Sequence, residues 1–185
     1  MKNVKLAGRY AKALYDFAVE KNQIEQVHQD VLHIMGVLKL NHNLCVVIES
    51  PIIQQSRKVK IFTDIFKAEV TDVVFGFLKL IIEKKREPEL SLICEEFIKL
   101  YYKHHNIVTA QLITAQQASD NIIEKLRKII EEKMKANVKI QTVIKPDIMG
   151  GFIVKIEDFI YDASVIRHIN ELKREFSQNM YQAGI

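Results

Sequence analysis

The sequence predicts a mainly α protein, an N-terminal six-helix bundle followed by a small α+β domain. Three observations carry that reading. Apolar residues recur at helical spacing through the first 105 residues. Near His104, His105 and Asn106 the pattern changes to runs of β-branched residues. The 185 residues include only three prolines and six glycines, too few to interrupt many helices. The domains therefore divide as 1–105 and 106–185.

The first helix runs from Lys5 to Lys21, and the second from about Gln23 to Leu40, with Ile24, Val27, Val31, Ile34 and Leu38 on one stripe. A short third segment holds Leu44, Val47 and Ile48. It stops at Ser50-Pro51, because a residue preceding proline avoids the helical region. Val59, Phe62, Ile65 and Phe66 mark a fourth helix, and Val70 to Lys85 a fifth. Pro88 suits the first turn of a sixth helix carrying Leu90, Ile93, Cys94, Phe97, Ile98 and Tyr101. Connections this short imply a compact bundle.

Beyond the change of pattern, Ile107 to Thr114 reads as a strand. Residues 119–135 return to helical spacing through Ile122, Leu126, Ile129, Ile130 and Met134. Val138, Ile140, Thr142 and Ile144 then alternate with their neighbours at the period of a half-buried strand. Pro146, Asp147, Gly150 and Gly151 make a turn, and Phe152 to Glu157 is a further strand. Asp158 reads as a turn residue, and Asp162 or Ser164 as the cap of a last helix built on Val165, Ile169, Leu172 and Phe176.

The composition excludes several classes. Apolar residues at 48% and charged residues at 27% argue against disorder. The net charge of +4 is small and spread over both halves, whereas a nucleic-acid binder concentrates its charge. The one basic run, Lys84-Lys85-Arg86, is flanked by Glu83, Glu87 and Glu89 and reads as a solvated helix end. Cys45 and Cys94 lie among apolar residues without a CxxC or a metal-ligand spacing, which marks them as buried thiols of a reducing compartment. No apolar stretch reaches the roughly 18 residues of a membrane span. The basic, amphipathic N-terminus lacks serine and carries Asp16, so it reads as a first helix rather than a presequence.

Reactive constellations are missing. There is no GxxxxGK[ST] loop, and Gly150-Gly151 precedes a strand where a dinucleotide fingerprint needs a helix. The histidines, including His28, His33, His104, His105 and His168, read as surface residues. Asp158 and Asp162 bracket Phe159-Ile160-Tyr161 but have no accompanying nucleophile or base. What does stand out is a surplus of apolar face on two helices. Ala7, Ala11, Leu14 and Ala18 form one stripe of the first helix, and Leu6, Tyr10, Ala13 and Phe17 a second, roughly 110° away. The apolar residues of the fifth helix, from Val70 to Ile82, cover an arc of about 200°. Such arcs serve either a central helix buried on several sides or a groove that accepts an amphipathic partner helix.

A family resemblance bears on that choice. Residues Arg9-Tyr10-Ala11-Lys12-Ala13-Leu14-Tyr15-Asp16-Phe17-Ala18 resemble the opening motif of the ATP synthase delta subunit family, called the oligomycin-sensitivity-conferring protein in mitochondria. Ser50-Pro51 with Ile53 and Lys58 is similar to the family's mid-domain motif, and Phe77 to Arg86 to its fifth helix. Late in the chain, Pro146 to Lys155 and then Asp162-Ala163-Ser164-Val165 resemble its turn, strand and helix start. The departures are modest: Met149 stands where leucine or isoleucine is more usual, and Ala163 where glycine or serine is. The series covers nearly the whole chain in the right order.

The resemblance implies a non-catalytic stator subunit, without cofactor or metal, that couples proton translocation to ATP synthesis. It implies that the first and fifth helices hold the N-terminal helix of an alpha subunit, on matching positions Tyr10, Ala13, Leu14 and Phe17 with Val74, Phe77, Leu80 and Ile81. The C-terminal domain would meet the peripheral-stalk b subunits, where Val165, Ile169 and Leu172 are either contacts or core. The lack of a presequence favours a bacterial protein, peripheral on the cytoplasmic face of the plasma membrane and held there through the complex alone. No nucleic acid is expected. The alternative is an RNA-binding adaptor, suggested by an isoelectric point near 8.9; it requires aromatic residues exposed on the strands, and the strands offer only Phe152 and Phe159, which weighs against it.

Overall fold

A computed structural model describes residues 3–157 and 159–179. The chain divides into two compact units, Met1–His104 and His105–Ile185.

In the first unit, helix α1 (Val4–Glu20) begins at Asn3, whose side-chain oxygen accepts the Leu6 N–H at 3.1 Å. That bond satisfies one of the four amides left open at a helix start. Its inward face is Leu6, Ala7, Ala11, Leu14 and Ala18. The three alanines have no exposure, and their small size lets α1 lie close against α6 (Leu90–His104). Helix α2 (Ile24–Leu40) buries Val27, Val31, Ile34 and Leu38, the stripe its sequence predicts apart from the half-buried Ile24. Helix α3 (His42–Glu49) contributes Ile48 to the core.

Helix α4 (Gln55–Phe66) buries Phe62 and Phe66, and also Lys58. The Lys58 ammonium donates to the Ile48 carbonyl at 2.7 Å and to the Glu87 carboxylate at 2.5 Å. This ion pair ties α3 and α4 to the turn that precedes α6. Helix α5 (Asp72–Glu83) is two residues shorter at each end than the expected Val70 to Lys85. At its start Asp30 of α2 accepts both the Thr71 N–H at 2.8 Å and the Thr71 hydroxyl at 2.7 Å. At its end Lys85 turns left-handed, with φ of 55°. Pro88 lies in a 3₁₀ turn, Glu87–Glu89, directly before α6, rather than in α6 itself.

The second unit is a four-stranded sheet in the order β2-β1-β3-β4. Strands β1 (Ile107–Thr114) and β2 (Asn137–Ile144) are parallel, and helix α7 (Asp120–Met134) makes the crossover that a parallel pair requires. Strands β3 (Gly151–Ile156) and β4 (Phe159–Ser164) form an antiparallel hairpin beside β1. The core is Ala110, Leu112, Ile130, Val138 and Val154, with Ile123 and Leu126 packed on it. Helix α8 (Val165–Asn179) follows β4.

Two sequence expectations need correction here. The buried face of α7 is Ile123, Leu126 and Ile130, whereas Ile122, Ile129 and Met134 are exposed. The helix carries two apolar stripes, and the sheet covers only one. Of the two residues expected to cap the last helix, Ser164 does so and Asp162 instead lies within β4, a strand that was not expected and that forms because Gly151 to Ile156 supplies an antiparallel partner for Phe159 to Ser164. Asp158 lies outside the described residues.

The turn into β3 depends on backbone freedom. Met149 and Gly151 both have positive φ, and a Cβ on Gly151 would sit 2.1 Å from the Ala163 carbonyl oxygen. No other residue fits there. Ser164, fully buried, accepts the Arg167 N–H at 3.3 Å and so caps α8, while Asp162 accepts the Ser164 N–H at 2.9 Å. Hydrogen bonds from the Ser164 side chain and then from its N–H hold the Asp162 carboxyl below its usual pKa range.

Candidate functional site

Helix α1 has more apolar residues than its inward face can bury, and α5 does too. The two surpluses meet. They form an open groove of about 970 Å³ within the first unit. From α1 come Leu6, Arg9, Tyr10, Ala13, Leu14 and Phe17. From α5 come Asp72, Val73, Gly76, Phe77 and Leu80, and Arg86 follows beyond its end.

The residues on each wall recur at helical spacing. On α5 the positions 73, 76, 77 and 80 share one face, while Val74, Phe75, Leu78, Ile81 and Ile82 turn into the core. The Tyr10 and Phe77 rings meet edge-on across the floor with centroids 6.5 Å apart. Phe17 is 43% exposed and Leu80 41%, which is high for large apolar side chains lining one groove. Ala13 and Gly76 are small, and a Cβ on Gly76 would meet nothing within 4 Å. The groove is therefore wide at its middle and apolar along its length.

Six of the eight residues expected at this site line it: Tyr10, Ala13, Leu14, Phe17, Phe77 and Leu80. Leu14 is mostly floor, being 3% exposed. Val74 and Ile81 belong to the core and do not reach the groove; each is 1% exposed. The physical reason is phase. A helix with an apolar arc of about 200° has two faces to assign, and the core takes the more β-branched one. Reasoning from sequence missed Leu6, Val73 and Gly76. Val73 was accessible as the i−4 neighbour of Phe77, and Gly76 as the i−4 neighbour of Leu80. It missed Arg9 and Arg86 as well, which only the fold brings to the rim.

Elsewhere the described residues offer little chemistry. No group of three or more His, Cys, Asp or Glu among them could hold a metal. Not all the histidines are the expected surface residues: the His28 ring is half-buried and stacks on Tyr101 at 3.8 Å, whereas His104 is exposed as expected and stacks on Tyr15 at 4.7 Å. Tyr101 donates to Glu25 at 2.6 Å, and burial followed by that bond pushes its pKa up to about 12. Burial likewise pushes the Cys94 thiol up to about 12, which leaves it unreactive. No single helix among the described residues is long and apolar enough to cross a membrane.

The second unit has an uncovered face of its own. Helix α8 carries Val165, Ile169, Leu172 and Phe176 on one stripe, and no described side chain of the helix is buried. Leu172 and Phe176 are exposed, as are Phe159 and Tyr161 of β4. Val165 and Leu172 are thus surface and not core.

Comparison with known proteins gives a consistent answer. Residues 6–176 match the family model described as "ATP synthase delta (OSCP) subunit". An ATP synthase subunit delta of Amoebophilus asiaticus is 31% identical over 176 residues, covering 95% of this chain and 96% of the relative. One from Alkaliphilus metalliredigens is 32% identical over 173 residues, covering 94% and 96%. Among solved structures, a chain of the Toxoplasma gondii mitochondrial ATP synthase hexamer superposes with a TM-score of 0.74 at 20% identity, covering 92% of this chain and 97% of that one. That last likeness is one of fold.

Proposed function

This chain belongs to the ATP synthase delta (OSCP) subunit family, and from that membership we propose that its N-terminal groove is where the stator grips the catalytic head. The protein is a non-catalytic subunit of ATP synthase, part of the stator and peripheral stalk. It is associated with the membrane through that complex. The RNA-binding alternative finds no support among the relatives.

The occupant of the groove is the N-terminal helix of an alpha subunit, lying along α1 and α5. The observation that carries this reading is the pair of apolar walls, with Phe17 and Leu80 left open in the free chain. The C-terminal unit meets the ends of the b subunits, through the stripe of α8. The complex sits with this subunit on the cytoplasmic side of a bacterial plasma membrane.

The mechanics follow from the task. Torque from the central shaft loads the head, and an unrestrained head would turn without making ATP. A tether under load needs a slow off-rate. Buried apolar anchors supply that better than rim charges, which mainly change the on-rate.

The test is a calorimetric titration of the full chain with a peptide spanning the N-terminal helix of the same organism's alpha subunit. Tight binding that largely survives high salt is expected. Phe17→Asp and Leu80→Asp should each weaken it by about 2–4 kcal/mol while leaving the circular dichroism unchanged. An absence of binding by the folded wild-type chain would remove the groove from the head contact.

A further inference from the structure

The groove is apolar along its floor but not at its rim. Its ionisable lining among the described residues, Tyr10 aside, is Arg9, Arg86 and Asp72. Asp72 occupies the first turn of α5. There the positive end of the helix already offsets its charge. Arg86, two residues past the α5 C-cap Lys84, meets the negative end of that helix, whereas Arg9, within α1, has no such offset. Both arginines are exposed, and neither has an ion pair or side-chain hydrogen bond among the described residues. This contrasts with Arg167 elsewhere in the chain, which pairs with Glu171 at 2.7 Å. An arginine at the rim of an apolar groove presents a planar fork of donors suited to a carboxylate.

We infer that the groove selects an acidic amphipathic helix, whose apolar stripe lies over the Ala13–Gly76 gap and whose flanking carboxylates pair with Arg9 and Arg86. This rests on the groove being a helix-docking site, and adds which helices it admits. The two features divide the work. The apolar floor holds the occupant, and the arginines reject helices of equal hydrophobicity with basic flanks. Discrimination of this kind needs like charge set against the wrong partner as well as attraction to the right one.

The experiment uses the full chain and two synthetic amphipathic peptides with the same apolar face, one with glutamate flanks and one with lysine flanks. At low salt the acidic peptide is expected to bind about ten-fold tighter, and the difference should shrink at high salt. A double variant, Arg9→Glu with Arg86→Glu, should reverse the preference. Both side chains are exposed, so the fold should persist, and circular dichroism checks it. Equal binding of the two peptides would overturn the selection rule while leaving the docking site standing. So would a preference that the double variant does not alter. If neither peptide binds, and the alpha-subunit peptide does not bind either, the docking reading falls and the selection rule falls with it.

Discussion

Lys58 and Glu87 meet inside the N-terminal unit, with side chains only 3% and 7% exposed. The second Glu87 oxygen is buried and has no hydrogen-bond partner among the described residues. Removing one member of such a pair leaves an isolated charge in a medium that solvates it poorly. Lys58→Met is therefore expected to destabilise the protein by about 3–5 kcal/mol, read from urea unfolding. Adding Glu87→Leu should recover most of that loss, because the desolvated charges then disappear together. Nothing local in Gln55-Ser56-Arg57-Lys58-Val59-Lys60 announces that Lys58 alone of its neighbouring cations is buried. Its i+4 relation to Phe62 puts it on the inward face, but the partner is 29 residues away and only the fold supplies it. Cys94 was simpler to read, since its apolar neighbours on α6 foretell the burial that raises its pKa.

Among the elements, α5 carries the greatest burden. Gly76 stands mid-helix, where glycine costs about 0.5–1 kcal/mol relative to alanine. Open space surrounds the position a Cβ would take. Gly76→Ala should accordingly raise the stability of the free chain by that amount. It should also weaken docking of the alpha-subunit helix, since the added methyl enters the groove. Unfolding midpoints and peptide titration on the same variant check both halves. The existence of α5, and its surplus of apolar face, were plain from Val73 to Ile82. Its phase was not, because valine, phenylalanine and leucine occur on both faces and hydrophobicity cannot tell floor from core. The same ambiguity moved Ile122 and Ile129 of α7 to the surface. Strand β4 was hidden for another reason. Asp162-Ala163-Ser164 carries strong helix-start chemistry, and Ser164 does cap α8, but the residues just before the cap are extended.

At the scale of the molecule, the two units each have their own core, and the buried residues up to Tyr101 pack within the first. A chain ending at His104 should thus keep its helical circular dichroism and unfold in one cooperative transition. A broad, non-cooperative melt would show that the first unit needs the second. The order of elements across the whole chain was readable because helical periodicity and β-branched runs are local signals. Sheet order was not, since it depends on which distant strands pair. The divided faces of α5 also bear on how this chain can change over generations. Five of its twelve residues are buried and five line the groove, which leaves Lys79 and Glu83 outside both sets. A substitution almost anywhere along the helix alters either the fold or the grip. Of those two, the Lys79 ammonium still lies 4.6 Å from the centre of the Phe75 ring, so neutral drift has little room, and a probe meant to report on the helix without disturbing it is best attached at Glu83.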